Sequence, residues 1–213
     1  MSTSEAQSER QSRQGRIPWN KGKLVGQKPP LKMKEVWRIR FHLQHIEGTR
    51  DLALFDLAID SKLRGCDLVH LKVDDIVVGG RVKPRAVVRQ RKTGHPVQFE
   101  LTEQTREAVT AWIQEGNRRP GDYLFPNRLH ASRPMTTRQY ARLVRVWLNA
   151  VGMDGNAYGT HSLRRTKPTL IYRRTGNLRA VQLLLGHTKL ESTVRYLGVE
   201  VDDALEISEQ TDL

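Results

Sequence analysis

Residues 183–198 read LLLGHTKLESTVRYLG, and this stretch decides how the C-terminal third of the chain is built. Leu178, Val181 and Leu185 recur at helical spacing and form an apolar stripe suited to a core. Gly186 then supplies the left-handed residue that ends a helix, which puts His187 at the corner. Thr188 and Glu191 stand three apart, the spacing of a capping box that opens the next helix. That helix carries Tyr196 about two turns in, roughly a dozen ångström along its axis from the cap. A helix-ending glycine, a histidine at the corner and a tyrosine eight intervening residues later is an economical way to bring two reactive side chains near one ligand. Taken alone, the tyrosine reads equally well as a core aromatic with its hydroxyl at the surface.

Immediately upstream, residues 159–168 read GTHSLRRTKP. Thr160 is placed to cap a helix whose first turn holds His161 and whose next presents Arg164. The spacing of three puts both on one face beside the positive helix end, an arrangement that suits an anion. A planar guanidinium matches two non-bridging phosphate oxygens, and free amides at the helix start add partial positive charge. An isolated H-x-x-R pair is, however, more commonly a packed histidine and a solvated charge.

Toward the N-terminus the pattern alternates. Residues 36–45 (VWRIRFHLQH) and 49–63 (TRDLALFDLAIDSKL) carry apolar residues at helical spacing, with Thr49 as a cap. Residues 74–101 (DDIVVGGRVKPRAVVRQRKTGHPVQFEL) hold β-branched runs separated by Gly-Gly and by Lys-Thr-Gly, which predicts a small antiparallel sheet of about three strands. Helical spacing returns in 102–116, with Thr102 as N-cap, and in 136–152, after a loop containing RRPGDYLFPNR. The fold class expected is therefore α+β, mainly helical, with one small sheet.

The chain has 213 residues, enough for one sizeable core. Residues 1–30 are rich in Ser, Gln, Gly, Pro and basic residues without an apolar period and read as a flexible basic arm, leaving 31–213 as the domain. Such an arm is either a solubilising tail or a tracker of phosphates. Residues 199–213 contain no Lys or Arg and several Asp and Glu, an acidic tail able to fold back on a basic site or dock on a neighbouring subunit. Lys and Arg total 36 against 23 Asp and Glu, a formal charge of +13. That excess points to a polyanionic partner. The sequence has neither an apolar run of spanning length nor a signal-peptide pattern, so no membrane partner and a cytoplasmic location are expected. The single cysteine, Cys66, excludes an internal disulfide and a cysteine-rich zinc site, and reads as a small core residue.

H-S-L-R-R-T, L-L-G-H-T and T-V-R-Y, in that order, resemble the C-terminal signature of the tyrosine recombinases, the phage integrase family. The family pattern also asks for an earlier arginine in L-R-x-x-[ED] and a lysine in a strand turn. Leu63-Arg64-Gly65-Cys66-Asp67 supplies the first, with Asp67 as the arginine's supporting carboxylate, and Lys92 stands at the K-T-G turn between the second and third expected strands. An arginine–aspartate pair at this spacing, or a basic hairpin turn, is unremarkable by itself. The ordered match runs from residue 63 to residue 196.

The resemblance implies the recombinase catalytic-domain fold and a site made of Arg64, Lys92, His161, Arg164, His187 and Tyr196. Tyr196 is the implied nucleophile, forming a 3′-phosphotyrosyl bond and releasing a 5′-hydroxyl. Arg64, Arg164 and His187 neutralise the phosphorane, Lys92 protonates the leaving oxygen, and His161 assists proton transfer at the tyrosine. No cofactor and no metal are implied. The implied partners are double-stranded DNA, three further protomers in a homo-tetramer on two DNA sites, and an accessory DNA-bending protein. DNA integration, inversion and excision in mobile elements are the activities of this class. The alternative is a non-catalytic DNA-binding protein, or a truncated mobile-element remnant, on the same scaffold.

Three departures qualify the match. Residues 1–30 are too few for the separate core-binding domain of the usual recombinase, so the chain resembles short stand-alone members such as those that invert fimbrial promoter switches. Ser61-Lys62 replaces the Thr-Gly common before the first arginine. Pro168 falls inside the helix that carries Arg164, where an interior proline costs about 3 kcal/mol and kinks the backbone.

Overall fold

The computed structural model describes residues 27–197; most of the expected arm and the acidic tail lie outside the described residues. At the centre is a helix whose residues Ala53–Ser61 are all buried, as expected of a helix surrounded by other elements. This helix, α2 (Thr49–Ser61), follows α1 (Met33–His45), which covers it with Val36, Ile39 and Leu43. The N-cap of α2 is Gly48, so Thr49 is its first helical residue instead of its cap. Two short helices, α3 (Gly65–Leu68) and α4 (Val73–Ile76), lead to the strands. Beyond the strands, α5 (Glu103–Glu115) and α6 (Thr137–Ala150) close the core with Val109, Trp112, Val144 and Trp147. Trp147 meets Phe55 edge to face at 5.9 Å, and its Nε1 donates to Asp51 Oδ2 at 2.9 Å. Among the described residues no helix is long and apolar enough to cross a membrane.

The single three-stranded sheet expected from the sequence is instead two separate hairpins. β1 (Val77–Val78) pairs with β2 (Arg81–Val82) across Gly79-Gly80, both with positive φ, the two-residue turn that glycines permit. β3 (Arg85–Arg89) pairs with β4 (Pro96–Glu100), in register from Arg85–Glu100 to Arg89–Pro96. The run read as one strand breaks at Lys83-Pro84, because proline has no N–H to continue a ladder.

The last three helices, α7 (Thr160–Thr175), α8 (Leu178–Leu185) and α9 (Leu190–Leu197), build a second, smaller cluster. Val181, Leu185 and Leu197 are its buried members, with Ile171, Tyr172, Leu178 and Tyr196 packed around them. α7 runs through Pro168 as one unbroken helix.

An ionic network locks α2, β4, α5 and α7 together. Lys62, at the C-cap of α2, is left-handed at φ 55° and only 1% exposed. Its ammonium meets Glu100 Oε2 at 2.7 Å. Lys167 reaches Glu100 Oε1 at 2.7 Å and Asp60 Oδ1 at 2.6 Å. The other Asp60 oxygen accepts from Thr102 N, Thr102 Oγ1 and Thr105 Oγ1 at 2.6–2.8 Å. Glycine is the ordinary residue for a left-handed cap. Here a lysine accepts that conformation, and its buried charge is neutralised two residues before Arg64.

Candidate active site

Arg64 is the N-cap of α3, with an extended backbone that turns its side chain out of the α2 axis. Its Nη1 donates to Gln90 Oε1. The expected support, Asp67, does not bond Arg64; its Oδ1 accepts from Arg91 N at 2.8 Å, which fixes the start of the turn carrying Lys92. Gln90, 1% exposed, is the centre of this side of the site. Its Oε1 also accepts from Thr93 Oγ1 at 2.8 Å, and its Nε2 donates to the Leu185 carbonyl at 3.1 Å.

Arg164 comes from α7. The N-cap of that helix is Gly159, not Thr160, and Gly159 N donates to Ser162 Oγ at 3.1 Å. Arg164 is 3% exposed, and its Nη2 donates to the same Leu185 carbonyl at 3.1 Å. That carbonyl ends α8, where the helix has no amide left to bond it and its dipole is negative. Arg164 Nη1 is buried without a hydrogen-bond partner among the described residues. Burial, and then the repulsion of Arg64, lowers the pKa of Arg164, although Tyr196 acts the other way. A buried cationic donor without a partner is costly unless an anion can reach it.

Gly186 ends α8 at φ 64°, as its position in the sequence predicts. A Cβ there would stand 2.4 Å from Val97 Cγ2 and 2.9 Å from Gln90 Nε2, so the close approach of α8 to β4 and to Gln90 also needs glycine. His187 follows, sharing a hydrogen bond between Nδ1 and Thr193 Oγ1 at 3.1 Å. Its ring lies edge to face with Tyr196 at 5.3 Å. Burial pushes the His187 pKa down to about 4, with Arg164 and Arg64 adding repulsion. Tyr196 has its hydroxyl buried with no hydrogen-bond partner among the described residues. Its ring centroid is 5.8 Å from the Arg164 guanidinium carbon and 5.5 Å from that of Arg165. Burial pushes the phenol up to about 12, while the charges of Arg164, Arg165 and Arg64 pull it back.

Four of the six expected residues, Arg64, Arg164, His187 and Tyr196, are thus joined by contacts or by one shared carbonyl. Arg64, Thr93, Gly186, His187, Arg195 and Tyr196 line a cleft of about 340 Å³. His161, in the first turn of α7, is solvent-exposed at the edge of the group; partial desolvation and then the charges of Arg164, Arg64 and Arg165 lower its pKa. Lys92 is exposed in the β3–β4 turn, next to Thr93 of the cleft, and makes none of the bonds described above. Cys66 is half-buried beside Asp67 and is not in the core.

Two contributors escape a reading of the sequence. Gln90 continues the inward face of β3, two residues beyond Val88 and four beyond Ala86, so a polar residue on a core-facing register was its signal. Arg165 donates to the Lys28 carbonyl at 2.8 Å, while Lys28 Nζ holds the carbonyls of Asn156 and Tyr158 at 2.8 and 2.6 Å. Nothing in the local sequence marks that arginine as a neighbour of Tyr196.

The chain is similar to known proteins over most of its length. The family model described as the phage integrase family matches residues 31–202. The probable integrase/recombinase YoeC of Bacillus subtilis is 25% identical over 174 residues, 82% of this chain and 91% of that protein. Tyrosine recombinase XerC of Caldanaerobacter subterraneus subsp. tengcongensis is 30% identical over 169 residues, 74% of this chain. The chain spans 44% of that XerC, and 50% and 54% of two similar XerD proteins. The crystal structure of XerA recombinase matches with a TM-score of 0.70 at 22% identity, over 85% of this chain and 63% of that one. The XerH site-specific recombinase, bound to palindromic difH substrate in a post-cleavage complex, matches with a TM-score of 0.69 at 20% identity, over 85% of this chain and 52% of that one. The solved structures carry the fold, and the family match covers nearly all the residues that build the core and the cleft, so the chain belongs to the phage integrase family of tyrosine-type recombinases.

Proposed function

We propose that this protein is a site-specific DNA recombinase or integrase that cuts and rejoins double-stranded DNA through a 3′-phosphotyrosyl bond to Tyr196. It works as a homo-tetramer on two DNA sites in the cytoplasm, with an accessory DNA-bending protein where the site must be bent. The single observation that carries this reading is the shared Leu185 carbonyl, which ties Arg164 to Gln90 and through it to Arg64, with Tyr196 against Arg164. Two cationic forks linked through one amide and one carbonyl suit the non-bridging oxygens of one phosphate.

The chemistry follows from these groups. When the scissile phosphate enters, it supplies the anion that Arg164 Nη1 lacks, and Arg64 and His187 share the charge that builds on phosphorus. The Tyr196 oxygen forms a bond to phosphorus as the bond from phosphorus to the 5′-oxygen breaks. His161, whose pKa is lowered by desolvation and then by the neighbouring arginines, takes up the phenolic proton, and Lys92 gives a proton to the departing 5′-oxygen. A partner strand's 5′-hydroxyl then reverses the step on the new junction, so the phosphodiester energy is kept in a covalent bond and no external energy source is needed. Residues 1–30 act as an arm along the phosphate backbone, and residues 31–213 form the catalytic domain with its acidic tail.

The test is a nicked suicide duplex built from inverted repeats sought in the DNA that flanks the gene. The wild-type chain gives a covalent protein–DNA adduct on a denaturing gel, and Tyr196→Phe gives none while still binding DNA. Binding without adduct by the wild-type chain would reassign the protein to a non-catalytic DNA-binding role on the same scaffold.

A further inference from the structure

The groups proposed for the reaction ride on two different packing units. Arg64 follows α2, and Lys92 stands on the β3–β4 hairpin; both supports belong to the main core, through Leu57, Leu63, Ala86 and Phe99. His187 lies between α8 and α9 and Tyr196 on α9, and the buried residues of these two helices form the separate small cluster of Val181, Leu185 and Leu197. Arg164 sits on α7, which reaches both: Leu163 packs in the main core, and Ile171 and Tyr172 in the small one. Two clusters of unequal size open with different free energies, and a site split across them is only as ordered as the joint.

Gln90 stands at that joint with both polar atoms of its side-chain amide bonded. The two acceptor positions of Oε1 receive Arg64 Nη1 and Thr93 Oγ1, and Nε2 donates across the cluster boundary to Leu185 O, which also receives Arg164. Its backbone closes the turn that carries Lys92, since Gln90 N donates to His95 O at 2.9 Å and Gly94 N donates to Gln90 O at 2.7 Å. The amide is required in kind. Glutamate accepts from Arg64 but cannot donate to Leu185, methionine keeps the length and makes none of the bonds, and asparagine is shorter by one carbon–carbon bond, about 1.5 Å.

We propose that Gln90 is a positioning residue that holds the arginine and lysine of the sheet side in register with the arginine, histidine and tyrosine of the helical side. It acts through Arg64 and the Leu185 carbonyl and need not touch DNA. The proposal rests on the reading of Arg64, Arg164 and Tyr196 as reacting groups, and it accounts for Gly186, whose missing side chain leaves room for the amide.

The experiment compares the full chain with Gln90→Met and Gln90→Glu by two readouts. In single-turnover cleavage of the suicide duplex at saturating enzyme, both variants keep the wild-type dissociation constant for DNA and lose about a hundred-fold in rate, the cost of misplacing a group by roughly an ångström. In amide hydrogen exchange without DNA, residues 178–197 exchange faster in Gln90→Met, while α2 and α5 keep their protection. Wild-type cleavage rates in both variants overturn the proposal. So does faster exchange spread evenly over the chain, which marks a general loss of stability. If the wild-type chain forms no adduct, the catalytic reading falls and hydrogen exchange alone decides: faster exchange confined to 178–197 upholds the tie, and unchanged exchange overturns it.

Discussion

At the scale of single residues, the site gathers ionisable groups whose charged forms burial disfavours. Arg164 uses one nitrogen on a helix-end carbonyl and leaves the other without a partner among the described residues. The Tyr196 hydroxyl is likewise buried and without a partner among the described residues, and its pKa, pushed up to about 12 by burial, keeps it protonated between two arginines. His187 gives a measurable consequence. Its folded pKa, pushed down to about 4 by burial and by Arg164 and Arg64, lies below the value of about 6.5 for an unfolded histidine. Between those values the unfolded chain binds a proton that the folded chain refuses, so this contribution to stability is present at neutral pH and drains away as the pH falls toward 4. In His187→Gln, the loss of unfolding free energy between pH 7 and pH 5, measured by urea denaturation, is smaller than in the wild-type chain. An identical loss in both proteins sinks this account.

At the scale of elements, the strained places lie beside the candidate site residues. Lys62 accepts a left-handed backbone where glycine is usual, and its ammonium is paired with Glu100. Burial alone would raise Glu100, but Lys62 and Lys167 outweigh it and hold the carboxyl below the usual carboxylate range. Pro168 removes the amide that would bond the carbonyl of Arg164, yet α7 continues past it, held by packing on both clusters. An interior proline costs about 3 kcal/mol, and its ring loses about two buried methylenes at roughly 0.8 kcal/mol each on truncation to alanine. Pro168→Ala is therefore expected to stabilise the fold by about 1 kcal/mol, read as a higher denaturation midpoint. A midpoint equal to or below the wild-type value refutes this.

At the scale of the whole molecule, the formal charge of +13 is distributed unevenly along the chain. Residues 1–26 hold Arg10, Arg13, Arg16, Lys21 and Lys23 against Glu5 and Glu9, whereas residues 199–213 hold no Lys or Arg. The arm joins the domain at Lys28 and Leu31: Leu31 N donates to Thr166 Oγ1 at 3.0 Å, and Gln27 borders the cleft. Counterion release makes every phosphate that the protein neutralises visible in the salt dependence of binding, at roughly 0.9 in the slope of log K against log salt. Deleting residues 1–26 is expected to flatten that slope by about 0.9 for each phosphate that the arm had neutralised, and to weaken binding alike on all sequences. A slope unchanged by the deletion means that the arm does not track DNA.

What the sequence determined by itself was local and ordered. Helical spacing, the glycine at 186 and the serial order of Arg64, Lys92, His161, Arg164, His187 and Tyr196 follow from chain geometry over a few residues, so they could be read directly. Proline 84 was legible too, but its effect was not, because a missing N–H matters only once a neighbouring strand is there to be bonded. The tertiary structure alone decided that Arg64 bonds Gln90 and not Asp67, that Asp67 instead fixes the lysine turn, and that Arg165 lies over Tyr196. Those pairings join residues 24 to 31 positions apart, and the Gln90–Leu185 bond joins residues 95 apart. Sequence spacing carries no information at such separations; burial does, because a polar group shut away from water must take whatever partner the packing brings to it.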